Sequence, residues 1–296
     1  MAKPKLKTRE YPYPRDEATP VLFTINARKW IWGILLVCIS SVIAFVWLDF
    51  SVNTAYGSDL SPIRRLFNIT REDSLSSWFG ITVTWMVAVT LWTIFLVEKN
   101  RGASRGTRIG WGILAGAFTY MAADDGSKIH ERLGSAFRDI QEANLAETLP
   151  AAGGEGITHL FPSYSWQILF VPLFAALGVF MLIFLFRKLQ TARARIGLLV
   201  VLGFMTTAVG LDFVEGLDED HDWNLYTQIV DQWDFKLYSV ETFRRPPYDA
   251  VRHFSKSVEE SLEILAMTFM WVIMLGHLAR LSEGGSFRLV TGRKTR

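Results

Sequence analysis

The sequence contains one cysteine and five histidines in 296 residues, and these shortages exclude several kinds of site. Cys38 stands alone within an apolar run, so neither an intrachain disulfide nor a cysteine-based metal site can form. The histidines make no His-x-x-x-His or His-Glu-x-x-His pattern, and no Cys-x-x-Cys-His is present for haem attachment. The chain also lacks a Walker motif and a Gly-x-Ser-x-Gly elbow, and no nucleic-acid partner is expected.

Apolar residues, by contrast, are abundant, and they make up 50% of the chain. Six windows of about twenty mostly apolar residues recur, which is the length a helix needs to cross a hydrocarbon core of ~30 Å. They predict an all-α, polytopic membrane bundle with six transmembrane helices. The predicted spans are residues 30–49, 78–97, 109–128, 166–186, 196–215 and 259–279.

The remaining segments complete the predicted organisation of the chain. Residues 1–29 form a polar tail, residues 30–280 form the transmembrane domain, and residues 281–296 form a basic tail. Three outer loops are expected at 50–77, 132–165 and 216–258. Within the second loop, the stretch "RLGSAFRDIQEANLAETL" predicts a further helix.

Lysine and arginine are distributed unevenly between the two sides of this arrangement. Segments 1–29, 98–108, 187–195 and 280–296 together hold 20 of the 31 basic residues. The positive-inside rule therefore predicts that both termini are cytoplasmic. A chain without disulfides suits the inner (plasma) membrane of a bacterium, and its expected partner is the lipid bilayer.

The stretch "YMAADDGSKIHE", residues 120–131, ends the third apolar run with an unusual load of charge. Asp125, Asp212 and Glu263 each lie 17 residues from the basic residue at the inner end of their own span. At 1.5 Å per residue, all three carboxylates are expected at a depth of about 25 Å. Three further residues share a second level, 20 residues from the same markers: Lys128, Glu215 and Glu260.

Carboxylates at such a depth require compensation, because an ionised acid at the membrane centre costs about 3 kcal/mol. Protonation, pairing with a basic side chain, or a bound cation would each supply it. Nearby histidine favours a cation, since imidazole and carboxylate together suit zinc or iron. We therefore expect Asp125, His130, Asp212 and Glu263 to bind a divalent metal between the third, fifth and sixth spans.

Other charged residues at this level have supporting roles in the prediction. Glu131 and Glu260 are candidate catalytic groups, as general bases or as groups that orient the ligands. Five residues are expected to surround the ligands: Asp124, Lys128, Glu215, His253 and Glu259. A simpler interpretation is that these charges cap helix ends and reach the interface.

Three functions are compatible with this pattern. The first is a metal-dependent membrane enzyme that acts on a lipid or another apolar substrate, a hydrolase or an oxidase. The second is a non-catalytic accessory subunit of a larger respiratory or photosynthetic membrane complex. The third is an ion- or proton-coupled transporter with Asp125, Asp212 and Glu263 as carriers.

The stretch "AADDGSKIHE" resembles a motif of uncharacterised bacterial polytopic membrane proteins, in which two acids are followed after four residues by His-Glu. Weaker similarity extends to "LDFVEG" and "EESLE". More distantly, the arrangement is similar to the alkaline ceramidase and adiponectin-receptor hydrolases, which hold zinc near one face of a helical bundle. This chain has six predicted spans rather than seven and no His-x-x-x-His in the last one. The resemblance implies a site at membrane depth and no defined reaction.

Overall fold

The computed structural model describes residues 26–54, 56–148, 161–233 and 239–282. These residues form helices and contain no strand, which confirms the predicted all-α class. The α-helices in the described ranges are α1 (Ala27–Asn53), α2 (Ser61–Phe67), α3 (Leu75–Asn100), α4 (Arg105–Ser127), α5 (Ile129–Thr148), α6 (Ser165–Lys188), α7 (Ala192–Glu215), α8 (Leu225–Gln232) and α9 (Pro247–Leu281). A short π-helical turn, Ser239–Phe243, precedes α9.

Five of these helices, α1, α3, α6, α7 and α9, are long and apolar enough to cross a membrane. Their surfaces fit a lipid environment, because large apolar side chains point away from the protein along their length. Trp30 and Trp32 near the start of α1 are 61% exposed, and Trp47 near its end is 64% exposed. Exposed tryptophans near the two ends of a helix are typical of membrane interfaces.

The third predicted span corresponds to α4, a helix of 23 residues that does not meet the same standard of length and hydropathy. Its apolar residues are diluted by several glycines and by Asp124 and Asp125 at its end. Helix α4 nevertheless packs along α3 and contributes fully buried side chains to the core, including Trp111 and Leu114. The structure thus supports five membrane-crossing helices, and the sixth remains a prediction.

Local sequence signals explain where most of the long helices begin. Ser74, Ser104 and Thr191 precede α3, α4 and α7, and each side chain accepts a hydrogen bond from a backbone N–H in the first turn. Such caps satisfy donors that have no partner within the helix. Helix α9 begins with Pro247, whose missing N–H is no loss at a first helical position.

Helix α9 is the centre of the bundle and packs against α1, α3, α7 and α8. The apolar core lies where α9 meets α3 and α4, and its side chains with no exposed surface include Val87, Leu91, Trp111, Met270 and Met274. Most acidic side chains of the long helices lie beyond this core, at the end where α1, α4 and α7 finish and α3, α6 and α9 begin; we call it the carboxylate end.

Parts of the predicted outer loops are helical at this end. The last predicted span starts at 259, but α9 starts at Pro247, so twelve residues assigned to the loop 216–258 are helical. A helix can continue through charged and polar residues outside the lipid. A search for apolar runs detects only the apolar part of such a helix. The helix expected within 132–165 is confirmed as α5, beginning at Ile129. The loop 50–77 contains the end of α1, all of α2 and the start of α3.

Candidate carboxylate site

The length of α9 determines how the site is arranged. Its 35 residues span roughly 52 Å, about 20 Å more than the hydrocarbon core of a bilayer. The first turns of α9 therefore stand beyond the lipid, where α8 supports them. Tyr226 of α8 donates a hydrogen bond to the hydroxyl of Ser255 at 3.0 Å. Burial raises the pKa of Tyr226 to about 12, so this hydroxyl stays protonated at neutral pH.

Three carboxylates from two helices meet at the carboxylate end. Asp212 and Glu215 lie one turn apart at the end of α7, and Glu259 faces them from α9. One oxygen atom from each of the three lies within 4.8 Å of the other two. Asp212 and Glu215 are partly buried, while only 5% of Glu259 is exposed. We refer to Asp212, Glu215 and Glu259 as the carboxylate triplet.

Basic side chains compensate part of this negative charge. Lys256 lies between two members of the triplet, with its Nζ 3.0 Å from Glu215 Oε2 and 3.2 Å from Glu259 Oε1. Arg252 Nη2 donates to Glu215 Oε1 at 3.0 Å. Because Lys256 and Glu259 are three residues apart on α9, the helix itself holds this ion pair together.

Two buried carboxylate oxygens of the triplet, Glu215 Oε2 and Glu259 Oε2, accept no hydrogen bond in the described ranges, and only the first has an ion pair, with Lys256. A buried carboxylate oxygen without a donor is unfavourable, since its desolvation is not offset. The triplet therefore has a free ligand atom that a cation could satisfy.

Asp212 has a neutral partner that the sequence analysis did not identify. Gln167, in the first turn of α6, donates from Nε2 to Asp212 Oδ2 at 2.9 Å. Only 3% of Gln167 is exposed. A lone amide at the start of a strongly apolar run was the available signal, and it indicates a buried polar contact.

A pocket of about 530 Å³ reaches the triplet. Its walls include Asp212, Glu215 and Lys256 together with residues from α5 and from the segment before α6. Tyr164 and Trp166 line it as well, and burial and the negative charge of Glu215 raise the pKa of Tyr164, which keeps its hydroxyl protonated. The volume is within the range of pockets that bind small molecules.

Lys128 and its two partners Glu72 and Glu131 form part of the wall of this pocket. Lys128 adopts the left-handed conformation with φ 53° and ends α4. Its ammonium group pairs with Glu72 and, at 3.2 Å, with Glu131. Glu131, one of the two predicted catalytic residues, thus lines the pocket, whereas Glu260 is not among its lining residues.

The predicted ligands Asp125 and Glu263 lie apart from the triplet. Together with Glu260 they form a second group, close enough for the three charges to interact. Asp125 also lies beside the buried hydroxyl of Thr84. The charge of Glu259 also reaches Glu263, so this second group adjoins the triplet, and metal binding by the predicted ligands stays a prediction.

His130, the fourth predicted ligand, has a structural partner. Asp124 accepts the backbone N–H of His130 at 2.8 Å and lies 2.6 Å from its ring Nδ1, so this carboxylate caps the start of α5. Burial alone would lower the pKa of His130, but the hydrogen bond and charge of Asp124 outweigh it and raise the pKa. The imidazole ring packs on Trp166 with centroids 4.6 Å apart.

His253, which was predicted near the ligands, also lies outside the triplet. Its Nε2 is 2.8 Å from Asp49 Oδ2, and its Nδ1 is 3.3 Å from Arg245. Since arginine only donates and a carboxylate only accepts, His253 here is the neutral tautomer with hydrogen on Nε2. Neither His130 nor His253 therefore belongs to the triplet.

Comparison with known proteins gives one match. A family described as a domain of unknown function, DUF8692, matches residues 33–278 of the 296. The chain belongs to this family. The matched region contains the carboxylate triplet, Lys256 and every residue that lines the 530 Å³ pocket, so the site is part of the family domain. No curated protein and no solved structure matches the chain.

Proposed function

We propose that the protein is a membrane-embedded, metal-dependent enzyme in which the carboxylate triplet binds a divalent cation. The observation that carries this proposal is the approach of three carboxylate oxygens to within 4.8 Å, at a pocket large enough for a substrate. The unpartnered Oε2 of Glu259 supports it, because a metal ion would supply the missing partner.

The chemistry of the triplet favours a particular class of metal. All three proposed ligands are oxygen atoms, which suit Mg²⁺, Ca²⁺ or Mn²⁺ better than zinc or iron. Zinc or iron was expected from the nearness of His130 and His253, and both histidines have other partners. Any remaining ligand positions would be filled by water or by the substrate.

Lys256 limits the affinity for the metal. Its ammonium group lies between Glu215 and Glu259 and competes for the same oxygens. When a cation binds, we expect Lys256 to turn toward Glu260, whose charge already interacts with it. Binding would thus replace the single positive charge of Lys256 at the triplet with the two positive charges of the metal ion. Lys256 would remain within reach of the substrate.

The lining of the pocket indicates an amphiphilic substrate with a polar head group. Lys128 and Arg138 line the pocket and can bind an anionic group, and the buried ring of Trp166 adds an apolar part to the same wall. A metal ion bound at the triplet would polarise the bond to be broken and lower the pKa of a bound water. Glu131 is placed to accept a proton in the pocket, and the hydroxyl of Tyr164 is placed to donate one.

The orientation of the chain completes the proposal. We place six spans in the inner membrane, with α4 as the third and both termini in the cytoplasm. The close packing of α4 along α3 and the excess of basic residues in segments 1–29 and 98–108 support this placement. The pocket then opens on the outer side, where a lipid head group of the outer leaflet can enter.

Elemental analysis of protein purified from native membranes tests the proposal. We expect about one divalent metal per chain in the wild type, because the triplet offers ligands for one ion. We expect no bound metal in Asp212→Asn. Glu219→Gln is the matched control, because Glu219 is an exposed acid four residues beyond Glu215. A wild-type protein without metal, which also fails to take up Mg²⁺, Ca²⁺ or Mn²⁺ at millimolar concentration, would overturn the proposal.

The second acidic group favours one alternative function, ion- or proton-coupled transport. Asp125, Glu260 and Glu263 interact with one another, and the charge of Lys256 reaches both Glu260 and Glu263. Acidic residues in membrane helices often carry protons or ions. Proton flux into liposomes that contain the protein, abolished by Glu263→Gln, would favour transport over catalysis. No specific observation favours the accessory-subunit alternative.

A further inference from the structure

A second pocket at the carboxylate end differs from the first because its lining is strongly basic. It measures about 200 Å³, and four arginines line it, Arg64, Arg65, Arg71 and Arg245. Asn53 and Asp59 also line it. None of these residues lines the 530 Å³ pocket, so the two pockets are separate. We refer to this one as the arginine pocket.

Two of the four arginines have their charge compensated. Asp73 accepts from Arg65 Nη2 at 2.5 Å and from Arg71 Nε at 2.8 Å. These hydrogen bonds, first from Arg71 and then from Arg65, lower the pKa of Asp73 to about 2. Asp73 therefore stays charged at physiological pH, and one negative charge serves two arginines.

The other two arginines contact neutral acceptors instead of carboxylates. Arg64 Nε donates to Asn53 Oδ1 at 3.3 Å, and Arg245 Nη1 lies 3.3 Å from His253 Nδ1. Neither arginine is within ion-pair distance of a carboxylate in the described ranges. Asp59 pairs with Arg244 at 3.6 Å, which further reduces the negative charge available to the pocket.

A single buried carboxylate orients both neutral acceptors. Asp49, 4% exposed, accepts from Asn53 Nδ2 at 2.7 Å and from His253 Nε2 at 2.8 Å. Each partner must then present its acceptor atom to an arginine, Asn53 to Arg64 and His253 to Arg245. Asp49 thus positions the guanidinium groups of Arg64 and Arg245 through Asn53 and His253. It contacts neither guanidinium group directly and so does not neutralise their charge by an ion pair.

We infer that the arginine pocket binds a phosphate group, either on the head group of an anionic lipid or free in solution. Four guanidinium groups against two carboxylates, Asp59 in the lining and Asp73 shared by two arginines, leave an excess of positive charge at an open cavity. The planar N–H donors of arginine match phosphate oxygens in pairs. The contacts through Asp49 hold Arg64 and Arg245 in place before the ligand arrives, which reduces the entropy lost on binding.

Phosphate binding to the full-length protein in detergent tests the first source. Inorganic phosphate should raise the melting temperature of the wild type with increasing dose, while chloride at equal ionic strength should not. In Arg64→Gln/Arg245→Gln we expect at least tenfold weaker binding. Arg132→Gln is the control, because Arg132 is exposed and lines neither pocket. The wild-type titration stands by itself if the double variant does not fold.

Nanodiscs test the second source. Protein in phosphatidylcholine discs with and without phosphatidylglycerol would be examined by native mass spectrometry for retained lipid. Retention of phosphatidylglycerol that depends on Arg64 and Arg245, without binding of inorganic phosphate, would support the lipid source. Binding of inorganic phosphate that depends on the same arginines would support a soluble source. If neither ligand binds, or if binding is unchanged in the double variant, the inference is wrong.

Discussion

His253 Nε2 lies 2.8 Å from Asp49 Oδ2 and connects the last helix of the bundle to the first across 204 positions of sequence. Both groups are largely buried, and their partners Asn53 and Arg245 line the arginine pocket. The carboxylate end thus contains both the carboxylate triplet and the arginine pocket. The neutral imidazole of His253 contacts Arg245, which lines the arginine pocket.

Replacing Asp49 tests the role of this contact. Asp49→Asn keeps the shape of the side chain but removes the charge that holds Asn53 and His253, and we expect a loss of about 1–3 kcal/mol in stability. Phosphate binding in the arginine pocket should weaken although no arginine has changed. The matched control is Asp139→Asn, because Asp139 is exposed and lines neither pocket. Thermal melting with and without phosphate measures both effects, and unchanged phosphate binding in Asp49→Asn would contradict the positioning role.

Replacing Lys256 separates a metal site from a structural ion pair. In Lys256→Met the carboxylate triplet loses its internal cation, so the protein without metal should be destabilised by about 3–5 kcal/mol, as for a buried pair that loses one partner. Added Mn²⁺ should restore the melting temperature and bind at least tenfold more tightly than in the wild type. Should Mn²⁺ fail to restore stability, Lys256 would be the only cation that the triplet accepts.

The contact between His130 and Asp124 predicts a pH dependence of stability. The pKa of His130 is raised above its ordinary value of 6.5 in the folded protein. Its contribution is therefore complete below about pH 6.5 and is lost as the pH rises through the higher pKa of the folded state. The difference in melting temperature between wild type and His130→Gln should be larger at pH 6 than at pH 9. An equal difference at both values would show that the charge of His130 does not contribute.

Gly134 allows the close approach of α5 to Trp166 in the wall of the 530 Å³ pocket. A Cβ atom at this position would lie 2.5 Å from the Cα of Trp166, so α5 cannot keep its place against α6 if the residue has a side chain. We expect Gly134→Ala to cost about 1–3 kcal/mol and to displace Trp166. Gly116→Ala is the control, since nothing lies within 4 Å of its added Cβ, and there the substitution should be neutral or stabilising. Denaturation together with tryptophan fluorescence measures both effects, and equal costs at the two positions would contradict the close approach.

Much of the fold could be predicted because hydropathy and capping residues are local properties. The apolar runs predicted the long helices, and the pattern "RLGSAFRDIQEANLAETL" predicted α5. The start of α9 could not be predicted from hydropathy. The residues from Pro247 to Val258 are too polar on average to be recognised as part of a membrane span, although they continue the same helix.

The metal-binding role of the predicted site residues stays a prediction, but the structure shows which of them lie together. Counting along each helix gave the levels of Asp212 and Glu215, and Glu259 was expected only around the ligands. The direction in which each side chain points depends on how the helices are rotated, which counting does not give. Asp125 and Glu263 therefore belong to a second group, and His130 and His253 turn to Asp124 and Asp49. Gln167 and Arg245 were missed because their roles depend on contacts between helices far apart in sequence.

The central claim is that the carboxylate triplet binds a divalent cation. Titration of the purified full-length protein with Mn²⁺, followed by electron paramagnetic resonance, tests it most directly. We predict about one tightly bound Mn²⁺ per chain in the wild type and in Glu219→Gln, and none in Glu259→Gln, which keeps the shape of the side chain but removes its charge. Equal binding by wild type and Glu259→Gln, or no binding by the wild type, would contradict the account.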